Sequence, residues 1–159
     1  MTPDMALSDD FHQYDPRQPL KSYLILTGFF GLAFASLCAV ERPRRRVSKA
    51  EDAALLAIAT HKLSRIITRD RVLAPFRAPF TKFEKSAGAG EVEEEIRGHG
   101  LHNAIGRLVT CPYCVAPWIA VGMKGLFRIA PHTTRLLMEV LALTAASDFL
   151  NRVYAKLED

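Results

Sequence analysis

"SYLILTGFFGLAFASLCAV", residues 22 to 40, runs for 19 residues without a charged side chain. At about 1.5 Å of rise per helical residue, such a run reaches across a hydrocarbon core roughly 30 Å thick. It is read as a transmembrane helix over residues 20–40. The competing readings are a cleaved signal peptide and a buried helix of a soluble protein. A signal peptide has a basic leader and a shorter apolar core. Here the run follows Asp4, Asp9, Asp10 and Asp15 with only Arg17 against them. Residues 1–19 lack any helical or strand periodicity and read as a flexible acidic tail.

Immediately beyond the run lies "ERPRRRVSK", residues 41 to 49, with five basic residues and one acid. Orientation follows the Lys/Arg bias of short flanking loops, which places this end in the cytoplasm and the acidic tail outside. Anionic lipid headgroups would reinforce the placement. Across all 159 residues the hydrophobic share is 49%, an ordinary value. The apolar residues are nevertheless bunched between charged blocks, the pattern of a membrane protein. The length suits a single folded unit. Three cysteines exclude a disulfide framework, and Cys38 reads as packing within the apolar run.

Ser48 and Glu51 have the spacing of a capping box, so a helix is expected from residue 49 to 68. Leu56, Ala59, Leu63, Ile66 and Ile67 share one of its faces. Only the eight residues from Ala53 to Thr60 are uncharged and unbroken, too few for a span. An interfacial helix with Lys62, Arg65 and Arg69 at headgroup level is therefore expected.

Residues 71–110 read as a cytoplasmic loop. Pro75 and Pro79 interrupt regular structure, a small-residue linker follows, and no strand alternation is evident. "EVEEE", residues 91 to 95, reads as a solvated charge run, with contact to the preceding basic stretch as the alternative. "GLHNAIGRLVT" then forms a short helix.

Residues 114–150 read as a transmembrane hairpin around "PHTTR". Lys124 stands seven residues before Pro131 and Glu139 eight after it, so antiparallel packing predicts an intramembrane ion pair. The expected fold is all-α, with three transmembrane helices plus one interfacial helix. Four transmembrane helices are the alternative.

The stretch "HKLSRIITRDRVLAPFRAPF", residues 61 to 80, followed by the acidic segment and "TCPYCVAPW", resembles a bacterial and phage membrane family known as domain of unknown function 1360. The features that carry the likeness are Arg65, Thr68, Asp70 and Arg77, and the cysteine pair followed by Trp118. The resemblance covers roughly residues 50–150, within a family domain taken as 41–159. It implies a small integral membrane protein, with a sporulation-associated label on some members and no agreed reaction.

Cys111 and Cys114 enclose Pro112 and Tyr113, the CPYC of soluble glutaredoxins. Such a fold needs strands around the motif, and none is expected here. A membrane thiol oxidoreductase fits the position better, but lacks a second dithiol, and the cytoplasm is reducing. His99 and His102 precede the pair by a short interval, and two imidazoles with two thiolates would complete a tetrahedral zinc site. The plain alternative is a helix start with Pro112 in its first turn and two packed thiols.

Arg65, Arg69, Arg71 and Arg77 are candidate anion or headgroup contacts. No phosphate-cradling glycine loop and no nucleic-acid module is present. The expectation is a non-enzymatic scaffold or accessory protein of the bacterial cytoplasmic membrane, N-terminus outside and C-terminus inside. No cofactor and no nucleic acid are expected. The partners are anionic lipid headgroups and a membrane protein or second copy. A thiol-redox or zinc-binding protein is the alternative.

Overall fold

The structure is a computed structural model that describes residues 19–40, 49–88 and 90–158. Helix α1 spans Leu20–Val40 and α2 Ala50–Arg69; a 3-10 turn, Arg71–Leu73, leads into the four-residue α3, Ala74–Arg77. Strands β1, Thr81–Gly88, and β2, Glu91–Ile96, precede α4, Gly100–Thr110, α5, Pro112–Ile129, and α6, Pro131–Glu158. The chain is thus mostly helical with one small two-stranded sheet.

Helix α1 is apolar on every side and carries Leu24, Phe29, Leu32 and Phe34 exposed. A helix of this kind needs either a deep core or lipid around it, and only 6% of its apolar window is covered by the rest of the fold. Among the described residues it is the one helix long and apolar enough to cross a membrane by itself. The bent pair α4 and α5, turned by 84° at their junction, passes the same test when taken together. Lys124 and Arg128 dilute α5, and Arg135, Glu139 and Asp148 dilute α6, so three plainly apolar spans are not seen.

The directions of the helices follow from named contacts. Phe30 packs edge to face on Trp118 with ring centroids 5.3 Å apart, and Leu37 Cδ1 lies 3.9 Å from the position a Cβ on Gly125 would take. Both steps advance seven residues, so α1 runs parallel to α5. Arg135 pairs with Glu51 at 2.7 Å and Lys62 with Asp148 at 2.5 Å, which makes α2 and α6 parallel to each other. The chain reverses between α5 and α6 at Ala130 alone. The order is therefore up, down, up, down. One end gathers the start of α1, the end of α2, the sheet, α4, the start of α5 and the last turns of α6. The other end holds the Ala130 reversal and the ends of α1 and α2 that residues 41–48 connect.

The core is formed by Ala59, Val115, Ile119, Met123, Met138 and Leu141, drawn from α2, α5 and α6. Helix α2 packs lengthwise against both arms of the expected hairpin. Ala59, with no exposed surface, permits that approach. Two polar residues on the buried face are satisfied locally, Ser64 donating to the His61 carbonyl at 2.7 Å and Thr68 to that of Ser64 at 2.8 Å, whereas the buried Thr60 hydroxyl makes no hydrogen bond among the described residues. Lys62 is buried and pairs with Asp148. Ser48, half of the expected capping box, lies outside the described residues, and the N-cap Lys49 makes no side-chain cap bond.

Within residues 71–110 the expected irregular loop is an antiparallel β-hairpin. Lys82 faces Glu95 and Lys85 faces Glu93 across the ladder, and Lys85 forms an ion pair with Glu93 at 3.1 Å. Glu93 holds the Lys85 ammonium above its ordinary pKa, mainly through their hydrogen bond. Gly88 and Gly90 take φ of 81° and 80°, the left-handed values the connection demands. Two register shifts, at Phe83/Lys85 and Ser86/Gly88, spoil the alternation that would mark β1 as a strand.

Helix α4 docks on this hairpin through Gly106. A Cβ there would lie 2.7 Å from Ile96 Cγ2 and 3.2 Å from the Phe80 carbonyl oxygen. Gly106→Ala is expected to destabilise the fold by about 1–3 kcal/mol through overpacking. Gly122→Ala, where a Cβ would meet nothing within 4 Å, is expected to be neutral or slightly stabilising. Thermal unfolding followed by circular dichroism checks both.

Candidate functional site

The sheet end of the bundle is organised by arginines. Pro75 opens the single turn of α3, and Arg77 at its end turns inward until only 2% of its surface is exposed. Its Nε donates to Glu94 Oε2 at 2.8 Å and its Nη2 to Glu94 Oε1 at 3.2 Å, the two-pronged geometry a guanidinium favours. Its Nη1 donates to the Ile67 carbonyl at 2.6 Å and its Nη2 to that of Asp70 at 3.1 Å. The last carbonyls of a helix have no partner within it, so Arg77 closes the end of α2 while gripping β2.

Around it, Arg65 pairs with Glu91, and Arg152 from α6 reaches the same Glu91 oxygen at 3.7 Å. The Arg71 amide donates to the Gly90 carbonyl at 2.9 Å and its guanidinium to Ser86 Oγ at 2.9 Å. Arg69 makes no ion pair among the described residues. Three of the four arginines considered as anion contacts are therefore engaged by protein groups. Glu91 and Glu94 lie against the basic stretch, the alternative reading of the acidic run.

Cys111 is the N-cap of α5, and its Sγ accepts from the Cys114 amide at 3.3 Å. Pro112 follows at the first helical position. Both thiols are free. The bend at Cys111 is thus a capped helix start whose sulfur satisfies one of the orphan amides. His99 occupies the N-cap position of α4 without a side-chain cap bond, while His102 tilts against Phe80 with centroids 4.9 Å apart and sets Nδ1 3.2 Å from the Arg97 carbonyl oxygen. Among the described residues no group of three or more His, Cys, Asp or Glu side chains converges on a point a metal ion could occupy. The two histidines and two cysteines are not brought together as a zinc site.

The expected Lys124–Glu139 pair does not form. Glu139 Oε1 accepts instead from Arg135 Nε at 3.1 Å, one turn away on the same helix, and Arg135 also reaches Glu51 and Asp52. A closer cation won the carboxylate. Lys124 points into the α2–α5 interface and has no ion-pair partner among the described residues. A double-mutant cycle of Lys124→Met and Glu139→Leu is expected to be additive to within about 0.5 kcal/mol, as for residues sharing no partner. Chemical denaturation of the two single variants and the double variant measures it.

Two cavities flank α5. One, of about 440 Å³, lies between α1, α4 and α5 and is walled by Tyr23, Phe30 and Trp118, with Cys114 at its edge. The other, of about 620 Å³, is an apolar groove between α2 and α5, with Ala57, Ala116 and Ala120 in its wall and Lys124 among its lining residues.

A family model described as "protein of unknown function (DUF1360)" matches residues 55–154. The chain belongs to this family. It is also 30% identical over 105 residues to a Bacillus subtilis (strain 168) protein named sporulation protein YjcA, covering 64% of this chain and 89% of that one. No solved structure matches. The DUF1360 region takes in most of α2, the whole arginine–glutamate cluster, both cysteines, the groove and most of α6. It leaves out α1, the most apolar helix. Two members of the cluster escaped sequence reasoning, Glu94 as the buried partner of Arg77 and Arg152 as a second cation on Glu91. The signal for Glu94 was the opposed charge of the two segments flanking the glycines.

Proposed function

We propose that this DUF1360 protein is a non-enzymatic scaffold of the bacterial cytoplasmic membrane that holds an ordered β-hairpin at one face of the bilayer. The observation that carries this reading is α1, a helix apolar all round and almost uncovered by the rest of the chain. Exposed Leu136, Val140, Leu143, Phe149 and Leu150 on α6 support a lipid-facing surface beyond α1. The sheet end supplies the display platform, since its charges are cross-paired into a rigid unit rather than left free for chemistry. The Bacillus subtilis relative's name ties that protein to sporulation and names no reaction.

Four crossings suit the helix directions better than three. With α1 and α5 running one way and α2 and α6 the other, both chain termini and the hairpin belong to one side. The nine Lys and Arg residues between 62 and 110 favour the cytoplasm for that side over the five between 42 and 49, which this arrangement, unlike the three-crossing one, places outside. Glu51, Asp52, Lys62 and Arg65 of α2 are tolerated because each faces an opposite charge, and Arg69 stands at the helix end.

Cell fractionation tests the core of the reading: the chain stays with membranes after alkaline carbonate washing and requires detergent for release. Recovery in the soluble fraction without detergent overturns it. Compartment-sensitive reporters fused to each terminus are expected to report the same compartment. Opposite compartments would restore the three-crossing arrangement.

A further inference from the structure

The groove between α2 and α5 has features that the scaffold reading leaves unused. Its volume, about 620 Å³, lies within the range of roughly 300–1,000 Å³ typical of small-molecule sites. From Pro112 to Lys124 it follows α5 for about 18 Å at 1.5 Å per residue. Its walls are kept low by Ala57 on α2 and by Ala116 and Ala120 on α5, which prevents the two helices from filling the space between them. The lining includes His61, Arg65 and Lys124 and no acidic residue. Arg65 is neutralised by Glu91. Lys124 has no ion-pair partner among the described residues.

An apolar channel with one unneutralised cation at its end complements one kind of molecule: an amphiphile with a flexible apolar chain and an anionic head. We propose that the groove is a binding site for one anionic phospholipid of the surrounding bilayer, an acyl chain lying along Ala57, Ala116 and Ala120 and the phosphate meeting the Lys124 ammonium. The inference rests on the membrane reading above. The ammonium gains a counter-charge in a low-dielectric setting where its isolation is costly, and the chain fills a space that the side chains leave open. Exposed Arg128, one turn further along α5, lies outside the groove lining and provides an internal comparison.

The test is native mass spectrometry of the full chain, purified in detergent and offered phosphatidylglycerol or phosphatidylcholine in equal amount. One phosphatidylglycerol retained per chain, at least tenfold over phosphatidylcholine, is expected. Lys124→Gln is expected to abolish the preference and Lys124→Arg to keep it. Ala57→Leu with Ala120→Leu, which fills the groove, is expected to lose the lipid while circular dichroism and thermal unfolding show a folded chain. Arg128→Gln is expected to retain it. Equal retention of both lipids, retention by the groove-filled variant, or a loss with Arg128→Gln as large as with Lys124→Gln overturns the inference. Those results concern only detergent-extracted protein; recovery of the chain without detergent would instead strike the membrane reading itself.

Discussion

Arg77→Met is expected to destabilise the folded chain by about 3–5 kcal/mol, the range for removing one partner of a buried ion pair. Four hydrogen bonds end on this guanidinium. Its loss strands Glu94, whose side chain is only 7% exposed, together with the Ile67 and Asp70 carbonyls. The uncompensated carboxylate dominates, because a buried charge without a partner carries the full desolvation cost. Arg77→Met combined with Glu94→Leu is accordingly expected to lose less than Arg77→Met alone. Thermal and chemical unfolding in detergent give the comparison, and a single-variant loss below about 1 kcal/mol would mean that the pair is exposed in solution. The contrast is Lys85 with Glu93, both well exposed, whose removal is expected to change stability by less than about 1 kcal/mol.

Leu32→Arg addresses the other end of the scale. Leu32 lies near the middle of α1 and is 67% exposed, so an arginine there meets no partner from the bundle. On insertion scales leucine at a helix centre is favourable by about 0.5 kcal/mol and arginine unfavourable by about 3, a swing of about 3–4 kcal/mol against membrane insertion. The ratio of inserted to uninserted α1 in a microsomal insertion assay is expected to fall at least a hundredfold. If the variant inserts as the natural sequence does, α1 is not a span. The same substitution at Ser36, already bonded to the Leu32 carbonyl at 2.8 Å and closer to the helix end, is expected to cost less, since the long side chain can reach towards the interface.

How much of this was readable in the sequence depended on range. The uncharged run 22–40 and the short helix before Thr110 are local patterns, and both elements stand where expected. The β-hairpin was hidden because two bulges break its alternation, leaving only opposite charges on either side of the glycines as a clue. The Lys124–Glu139 pairing was argued from equal distances to the turn. Such arithmetic fixes depth along the bundle but not rotation about each helix axis. Arg135, one turn before Glu139, was the nearer partner and took it. By its own composition helix α2 has too short an uncharged run for a span. Its burial depends on what α5 and α6 supply around Ala59, Ser64 and Thr68, which no single segment reveals. The cysteine pair was legible as a helix start, including Pro112 in the first turn, though not the sulfur acting as the cap.

One carboxylate oxygen links three parts of the molecule. Glu91 Oε1 opens β2 and is met by Arg65 from the second helix and by Arg152 from the last. Together with Arg77 on Glu94, this carboxylate ties β2 to both α2 and α6. Parting α2 from α6 would cost one of these contacts, so the carboxylate also clamps together two helices far apart in the chain.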